Sequence, residues 1–115
     1  MALDIKQQDA TALAEAIAKG VLTAREAMDA AIETAEKWRP LGAIAYLDAE
    51  LGRKNAEAFD HKAPFAGVPS LFKDLGGPCA GLPIRLGSRA CADAPRHLDS
   101  ELAARLRKAG LNFFG

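Results

Sequence analysis

The chain has 115 residues, which is about one domain and enough to bury a hydrophobic core. Half of its residues are hydrophobic and 26% are charged, as in ordinary soluble globular proteins. The formal net charge of zero argues against a nucleic-acid-binding protein, which normally carries a basic excess. No apolar run approaches the ~20 residues that span a bilayer. We therefore expect neither nucleic acid nor a membrane as a partner.

The N-terminus and the cysteines bear on the cellular compartment. Residues 1–5 lack the basic start and the long apolar stretch of a secretory signal peptide. The two cysteines, Cys79 and Cys91, fit a reducing compartment better than a secreted disulfide scaffold. We expect a cytoplasmic protein.

Residues 1–40 are predicted to form a helical hairpin. Asp9 can cap the first helix, and Gly20 can end it. Thr23 and Glu26 have the spacing of a capping box at the start of the second. Along that helix we expect a core-facing stripe at helical spacing: Ala27, Met28, Ala31, Ile32, Ala35 and Trp38.

Residues 41–115 are predicted to alternate between strands and helices as the start of an α/β core. The strands are expected at three apolar runs: 43–47, 67–75 and 111–114. The helices are expected from Asp48 to about Asp60 and from Asp99 to Gly110. This alternation implies an α/β fold, a sandwich whose mixed sheet is mostly parallel.

Residues 76–115 are predicted to contain a long loop, a helix and an apolar edge. Residues 76–97 are rich in glycine and proline, which predicts a long, ordered loop. The last helix is expected to bury Leu98, Leu102, Leu106 and Ala109 and to expose Arg105, Arg107 and Lys108. Phe113 and Phe114 are expected to form an uncovered apolar edge, which would make the isolated chain prone to association.

Lys73 is the residue with the clearest potential for chemistry. Because side chains alternate along a strand, Lys73 and Asp74 should face opposite sides, one toward a pocket and the other bracing a neighbouring loop. If Lys73 is buried, desolvation lowers its pKa, and the neutral amine can act as a general base near pH 7. Residue chemistry alone favours the alternative, in which Lys73 reaches solvent or pairs with Asp74 or Asp99.

The cysteines, the histidines and Lys73 do not have the spacing of a metal site or a phosphate-binding loop. The spacing of Cys79 and Cys91, even with His61 and His97, matches no common zinc site. Lys73 follows a phenylalanine and lacks the glycine-rich, helix-opening context of a phosphate-binding loop. We expect no metal and no cofactor.

The motifs around the lysine resemble the first conserved block of the amidase signature family. The match is an ordered set: Gly67-x-Pro69, Lys73-Asp74, Gly81-Leu82-Pro83, Gly87-Ser88 and Asp99-Ser100-Glu101-Leu102. It covers about residues 7–115. One departure is the pair Ile84-Arg85, which stands where many members carry threonines before the Gly-Ser pair.

The resemblance implies a serine hydrolase whose triad is a serine, a cis-peptide serine and a lysine. Lys73 matches the lysine, which in the family relays a proton through the cis-peptide serine to the nucleophile. Ser70, Ser88 and Ser100 match neither serine, because the family takes both from a Gly/Ser-rich segment that does not occur in this sequence. The resemblance thus implies that residues 1–115 are the N-terminal portion of one amidase signature domain.

The implied activity is hydrolysis of a non-peptide carboxamide C–N bond, or amide-dependent acyl transfer, on a small-molecule amide. It belongs to the complete polypeptide, with the remainder of that polypeptide as the partner of this chain, and the 115 residues alone are expected to be inactive. The alternative is a non-catalytic, truncated or split-gene interaction module.

Overall fold

A computed structural model describes residues 4–91 and 93–115. Residues 1–3, part of the stretch inspected for a signal peptide, lie outside the described residues. Within these ranges the helices are α1 (Ala10–Ala18), α2 (Ala24–Lys37), α3 (Ala49–Asn55) and α4 (Glu101–Lys108). The strands are β1 (Pro69–Ser70) and β2 (Asn112–Phe113), and short 3-10 turns occupy Ile5–Gln7 and Arg39–Leu41. None of the described helices is long and apolar enough to cross a membrane.

The predicted caps of the first two helices are present. The Asp9 carboxylate accepts a hydrogen bond from the Ala12 amide at 2.8 Å. The Thr23 hydroxyl accepts from the Glu26 amide at 3.1 Å, and the Glu26 carboxylate accepts from the Thr23 amide at 2.8 Å. These reciprocal bonds satisfy amide groups that a helix start otherwise leaves unpaired.

Helix α2 buries most of the stripe predicted for it. Met28 is fully buried and packs in a cluster with Ile32, Ala35 and Phe114. The prediction is wrong for Trp38, whose side chain is 53% exposed. Trp38 is the C-cap residue, so the backbone leaves the helical path there and carries the ring away from the core.

The sheet is smaller than predicted. Within the described residues it has two parallel strands, with Pro69 opposite Asn112 and Ser70 opposite Phe113. The strand expected over 67–75 is therefore reduced to two residues, although pairing bonds continue on both sides. The Asn112 amide donates to the Val68 carbonyl at 2.8 Å, and the Phe72 amide donates to the Gly115 carbonyl at 2.9 Å. The mixed helix and strand composition agrees with the predicted class.

The prediction of a buried strand over 43–47 is wrong. The segment has no regular secondary structure, and Ala43 and Ala45 are exposed. A strand needs a neighbouring backbone to pair with, and neither described strand is paired with this segment. The next residue, Asp48, does donate its amide to the Phe114 carbonyl at 2.8 Å, so the chain joins the sheet only where α3 begins.

Helix α3 starts as predicted and ends earlier. The Asp48 carboxylate caps it by accepting from the Leu51 amide at 2.9 Å. The helix stops at Asn55 instead of about Asp60. The amides of Glu57 and Ala58 bond three residues back, at 3.1 and 3.3 Å, so the chain passes into a tighter turn.

Helix α4 begins one residue later than predicted, with a different cap. Ser100, not Asp99, caps it, since its hydroxyl accepts from the Ala103 amide at 3.2 Å. Ala103 is fully buried, and Leu106, predicted to face inward, is partly buried in the same cluster. Leu98 and Leu102 are 76% and 51% exposed, so the prediction of their burial is wrong. Gly110 follows the helix end as predicted, with a φ of 102°.

The expected apolar edge at Phe113 and Phe114 is also wrong, because both side chains are buried. Phe113 packs in a cluster with Cys79, Leu82 and Ala103 under α4, whereas Phe114 belongs to the cluster around α2. The second strand therefore runs between two apolar layers. Exposed apolar side chains occur elsewhere, and include Leu71, Leu75, Leu98 and Leu102.

Candidate active site

Lys73 lies directly after the paired part of the β1 segment. The Phe72 amide is the last group bonded to the neighbouring strand segment, and the chain then turns, with the Gly76 amide donating to the Lys73 carbonyl at 3.0 Å. Lys73 lines a cleft of about 340 Å³, together with Asp74, Cys79, Arg85 and the segment 43–46. The lysine is thus presented at the end of a strand, over a concave surface.

The environment of Lys73 in this chain agrees with one of the sequence-based alternatives, contact with solvent. Its side chain is exposed within this chain, so the expected desolvation is not met here. The expected ion pair is not met either: within residues 4–91 and 93–115, the ion pairs shorter than 4.0 Å do not involve Lys73. Of the alternatives, contact with solvent describes this chain.

Asp74 has the bracing role expected of one member of the pair. Its carboxylate accepts a hydrogen bond from the Arg85 backbone amide at 2.9 Å, which joins the turn after Lys73 to the loop over 76–97. The strict alternation predicted for the two side chains does not hold, since both line the same cleft. The reason is that Asp74 lies in a turn, where the two-residue period of a strand no longer applies.

The described part of the loop over 76–97 is closed by hydrogen bonds between its two ends. Ala80 and Arg96 form an isolated parallel bridge. The Gly81 amide donates to the Arg96 carbonyl at 2.9 Å, and the Arg96 amide donates to the Leu82 carbonyl at 3.0 Å. This closure holds Cys79 and Leu82, which line the cleft, against Phe113 of β2.

Arg107 holds the base of the same loop, which the sequence analysis missed by placing it outward. Its guanidinium donates to the Ala80 carbonyl at 2.7 Å and to the Cys79 Sγ at 3.3 Å. It also pairs with Asp99 at 3.0 Å, and the Asp99 carboxylate accepts from the Ala80 amide at 2.7 Å. Burial raises the pKa of the Cys79 thiol, so this cysteine is suited to packing and poorly suited to act as a nucleophile.

The opposite wall of the cleft is the irregular segment 43–47. Arg85 reaches across to it and donates from Nη1 to the Ala45 carbonyl at 2.8 Å. The same guanidinium pairs with both oxygens of Asp93, with the Nη2–Oδ2 distance at 2.5 Å, and its Cζ lies 5.4 Å from the centre of the Tyr46 ring. Hydrogen bonding to Asp93 raises the pKa of Arg85, which stays charged.

The other polar candidates take structural positions or lie away from the lysine. Ser70 is in β1, Ser100 caps α4, and Ser88 lies in the exposed part of the loop, where its hydroxyl accepts from the Ala90 amide at 3.1 Å. Cys79 and Cys91 are both free. The described residues contain no group of three or more histidines, cysteines, aspartates or glutamates that could hold a metal ion.

Comparison with known proteins places this arrangement in a family. The Amidase family profile matches residues 10–115, which is nearly the whole chain and includes Lys73, Asp74 and the loop that they meet. The chain belongs to the amidase family. No curated protein matches it significantly.

Solved structures agree with the amidase assignment. A 6-aminohexanoate cyclic dimer hydrolase solved with substrate is similar to this amidase chain with a TM-score of 0.85 and 30% identity, over 98% of this chain and 23% of the other. A second structure, described as an amidase, gives 0.81 and 30%, over 94% and 26%. A third comes from a vestigial protein complex described as revealing the origins of an s-triazine catabolic enzyme, at 0.82 and 26%, over 94% and 25%. The chain therefore spans about a quarter of the length of these proteins.

Proposed function

We propose that the complete polypeptide hydrolyses a carboxamide C–N bond of a small molecule, with Lys73 as the base of a Ser-cisSer-Lys triad. The observation that supports this most directly is the amidase profile over residues 10–115, combined with the position of Lys73 at the end of a paired strand segment, in the wall of a cleft. Strand ends at a concave surface are common sites for catalytic groups in α/β proteins.

The proposed chemistry uses one proton relay in both of its halves and forms one covalent intermediate. The neutral amine of Lys73 accepts a proton through the cis-peptide serine from the nucleophilic serine, whose oxygen attacks the amide carbonyl carbon. The C–N bond breaks as the relay returns that proton to the leaving nitrogen. Water then attacks the acyl-enzyme ester and gives a proton to the relay, which returns it to the serine oxygen as the ester bond breaks and the carboxylic acid leaves.

The exposure of Lys73 in this chain sets a requirement for that mechanism. A lysine with an ordinary pKa of about 10.4 is almost fully protonated at pH 7, and a base needs a pKa of about 7–8. Desolvation lowers a lysine pKa. We propose that this chain is the N-terminal portion of one amidase domain. The remainder of that domain would supply both serines and would cover Lys73. The chain's coverage of about a quarter of related structures supports this proposal.

The size of the cleft and the state of the cysteines support the remaining parts of the proposal. A volume of about 340 Å³ lies within the range of small-molecule sites, roughly 300–1,000 Å³. Free thiols at Cys79 and Cys91 support a reducing, cytoplasmic location. The larger sandwich with a mixed, mostly parallel sheet is likewise proposed for the complete domain, in which β1 and β2 would be neighbours.

The test compares substitutions of Lys73 with the same substitutions of Lys62, an exposed lysine outside the cleft. In the full-length protein, Lys73→Ala should lower kcat/KM on an aryl amide by about 10²–10⁴. Lys73→Arg should be nearly as damaging, because a guanidinium is not deprotonated near neutral pH. Lys62→Ala and Lys62→Arg should leave kcat/KM unchanged.

Two results would contradict the proposal in different ways. Retained activity in Lys73→Arg would show that charge, not proton transfer, is what position 73 provides. A full-length wild-type protein that is folded and hydrolyses no aryl amide would favour the non-catalytic interaction module.

A further inference from the structure

Arg85 is the one long side chain at the point where the sequence departs from the family pattern, at Ile84-Arg85. A threonine at this position could not span the distance that the guanidinium spans. Arg85 contacts three groups in two parts of the chain: the Ala45 carbonyl and the Tyr46 ring in one, and the Asp93 carboxylate in the other. Its own backbone amide is held by Asp74, the neighbour of Lys73.

The segment contacted by Arg85 has few polar contacts. Within residues 4–91 and 93–115, the backbone of 43–47 makes one hydrogen bond, the bond from Arg85 Nη1 to the Ala45 carbonyl. A strand would form several ladder bonds instead. Ile44, Leu47 and Tyr46 pack against the apolar clusters, and Arg85 adds a hydrogen bond to a charged group, which contributes more than a neutral one.

Arg85 also stands between two spaces. It lines the Lys73 cleft and a second cavity of about 260 Å³, and Tyr46 lines both. The guanidinium carbon lies 5.4 Å from the centre of the Tyr46 ring, within the range of a cation–π contact that favours this position of the ring. Asp93 compensates the charge of Arg85, so the guanidinium is engaged in the wall and not directed at a ligand.

We propose that Arg85 is a positioning residue that holds the segment 43–47 and Tyr46 against the loop, and thereby sets the width of the cleft that binds the substrate beside Lys73. This inference rests on the proposed amidase function. Arg85 acts through Ala45 and Tyr46, so its loss should weaken substrate binding more than it slows the proton transfer of Lys73.

The first experiment separates KM from kcat in the full-length protein. Arg85→Ala should raise KM for an aryl amide by about tenfold, since a lost charged hydrogen bond in a binding wall is of that order, while kcat changes by less than about threefold. Arg85→Lys should recover part of the loss, because lysine keeps the charge but can reach only one partner. Arg89→Ala is the matched control, since Arg89 is an exposed arginine of the same loop, and it should behave as wild type.

The second experiment does not depend on activity. Cleavage by chymotrypsin after Tyr46, followed by mass spectrometry, should be faster in Arg85→Ala than in wild type, because cleavage requires the segment to leave the wall, and it should be unchanged in Arg89→Ala. An unchanged cleavage rate in Arg85→Ala overturns the proposal. Faster cleavage with an unchanged KM also overturns it, because the wall would then be mobile without consequence for binding. Equal increases in KM for Arg85→Ala and Arg89→Ala overturn it too.

The two experiments also separate this proposal from the proposed function. If the wild-type protein hydrolyses no aryl amide, the amidase proposal fails and the cleavage rate after Tyr46 alone decides whether Arg85 holds the wall. If the wild type is active and Lys73→Ala is inactive while Arg85→Ala retains its KM, the amidase proposal stands and the positioning role is wrong.

Discussion

The contact between the end of α4 and the chain before β1 makes Gly110 a sensitive position. Its φ is 102°, a conformation that residues with a Cβ rarely adopt. A Cβ built there would lie 2.6 Å from the Ala66 nitrogen and 2.7 Å from the Phe65 carbonyl carbon. Both obstacles are backbone atoms, which cannot rotate away as a side chain can.

Two hydrogen bonds join the same two backbone segments, so a shift that relieved the steric overlap would also weaken these bonds. The Phe65 amide donates to the Ala109 carbonyl at 2.8 Å, and the Gly67 amide donates to the Gly110 carbonyl at 3.1 Å. We expect Gly110→Ala to lose about 1–2 kcal/mol for the backbone conformation and about 1–3 kcal/mol for the overpacking. The predicted destabilisation is therefore about 2–5 kcal/mol.

Gly20 offers a matched control for the conformational part. It also has a positive φ, of 70°, but a Cβ there would meet nothing within 4 Å. Gly20→Ala should therefore cost about 1–2 kcal/mol, the conformational part alone. The free energies of unfolding of both variants can be compared with wild type by urea denaturation of the full-length protein, followed by circular dichroism. Equal destabilisation by the two substitutions would refute the steric reasoning.

Three more predictions concern stability and association, and the first two are measured by urea denaturation. Thr23→Ala should destabilise the protein by about 1 kcal/mol through loss of the α2 cap. The backbone and side-chain hydrogen bonds of Thr23 lower the pKa of Glu26, so this carboxylate stabilises the fold above its ordinary pKa and the effect is lost as the pH falls through its folded-state value. The difference between the urea midpoints of wild type and Glu26→Gln should therefore be smaller at pH 3 than at pH 7. An equal difference at both pH values would contradict this. Residues 1–115 alone should associate through exposed leucines such as Leu98 and Leu102. The double substitution Leu98→Ser and Leu102→Ser should lower the mass found by light scattering. A monomeric wild-type chain that unfolds in one sharp transition would refute the predicted association.

The features that the sequence predicted correctly are those decided within a few residues of chain. The caps at Asp9, Thr23 and Asp48 each join a side chain to an amide three residues away, so the local sequence contains both partners. The ordered motif set around Lys73 is equally a property of the chain, and it predicted the family that the profile shows. Whether Lys73 is catalytic stays a prediction.

The features that the sequence predicted wrongly depend on residues far apart in the chain. Asp99 looked like a helix cap, but the Ala80 amide and the Arg107 guanidinium bind its carboxylate, and the cap passes to Ser100. The segment 43–47 has the composition of a strand, yet neither described strand pairs with it, and its backbone is bonded by the side chain of Arg85, about 40 residues away. Local sequence determines which bonds a residue can form with its neighbours, whereas burial and pairing require a second surface whose position only the folded chain decides.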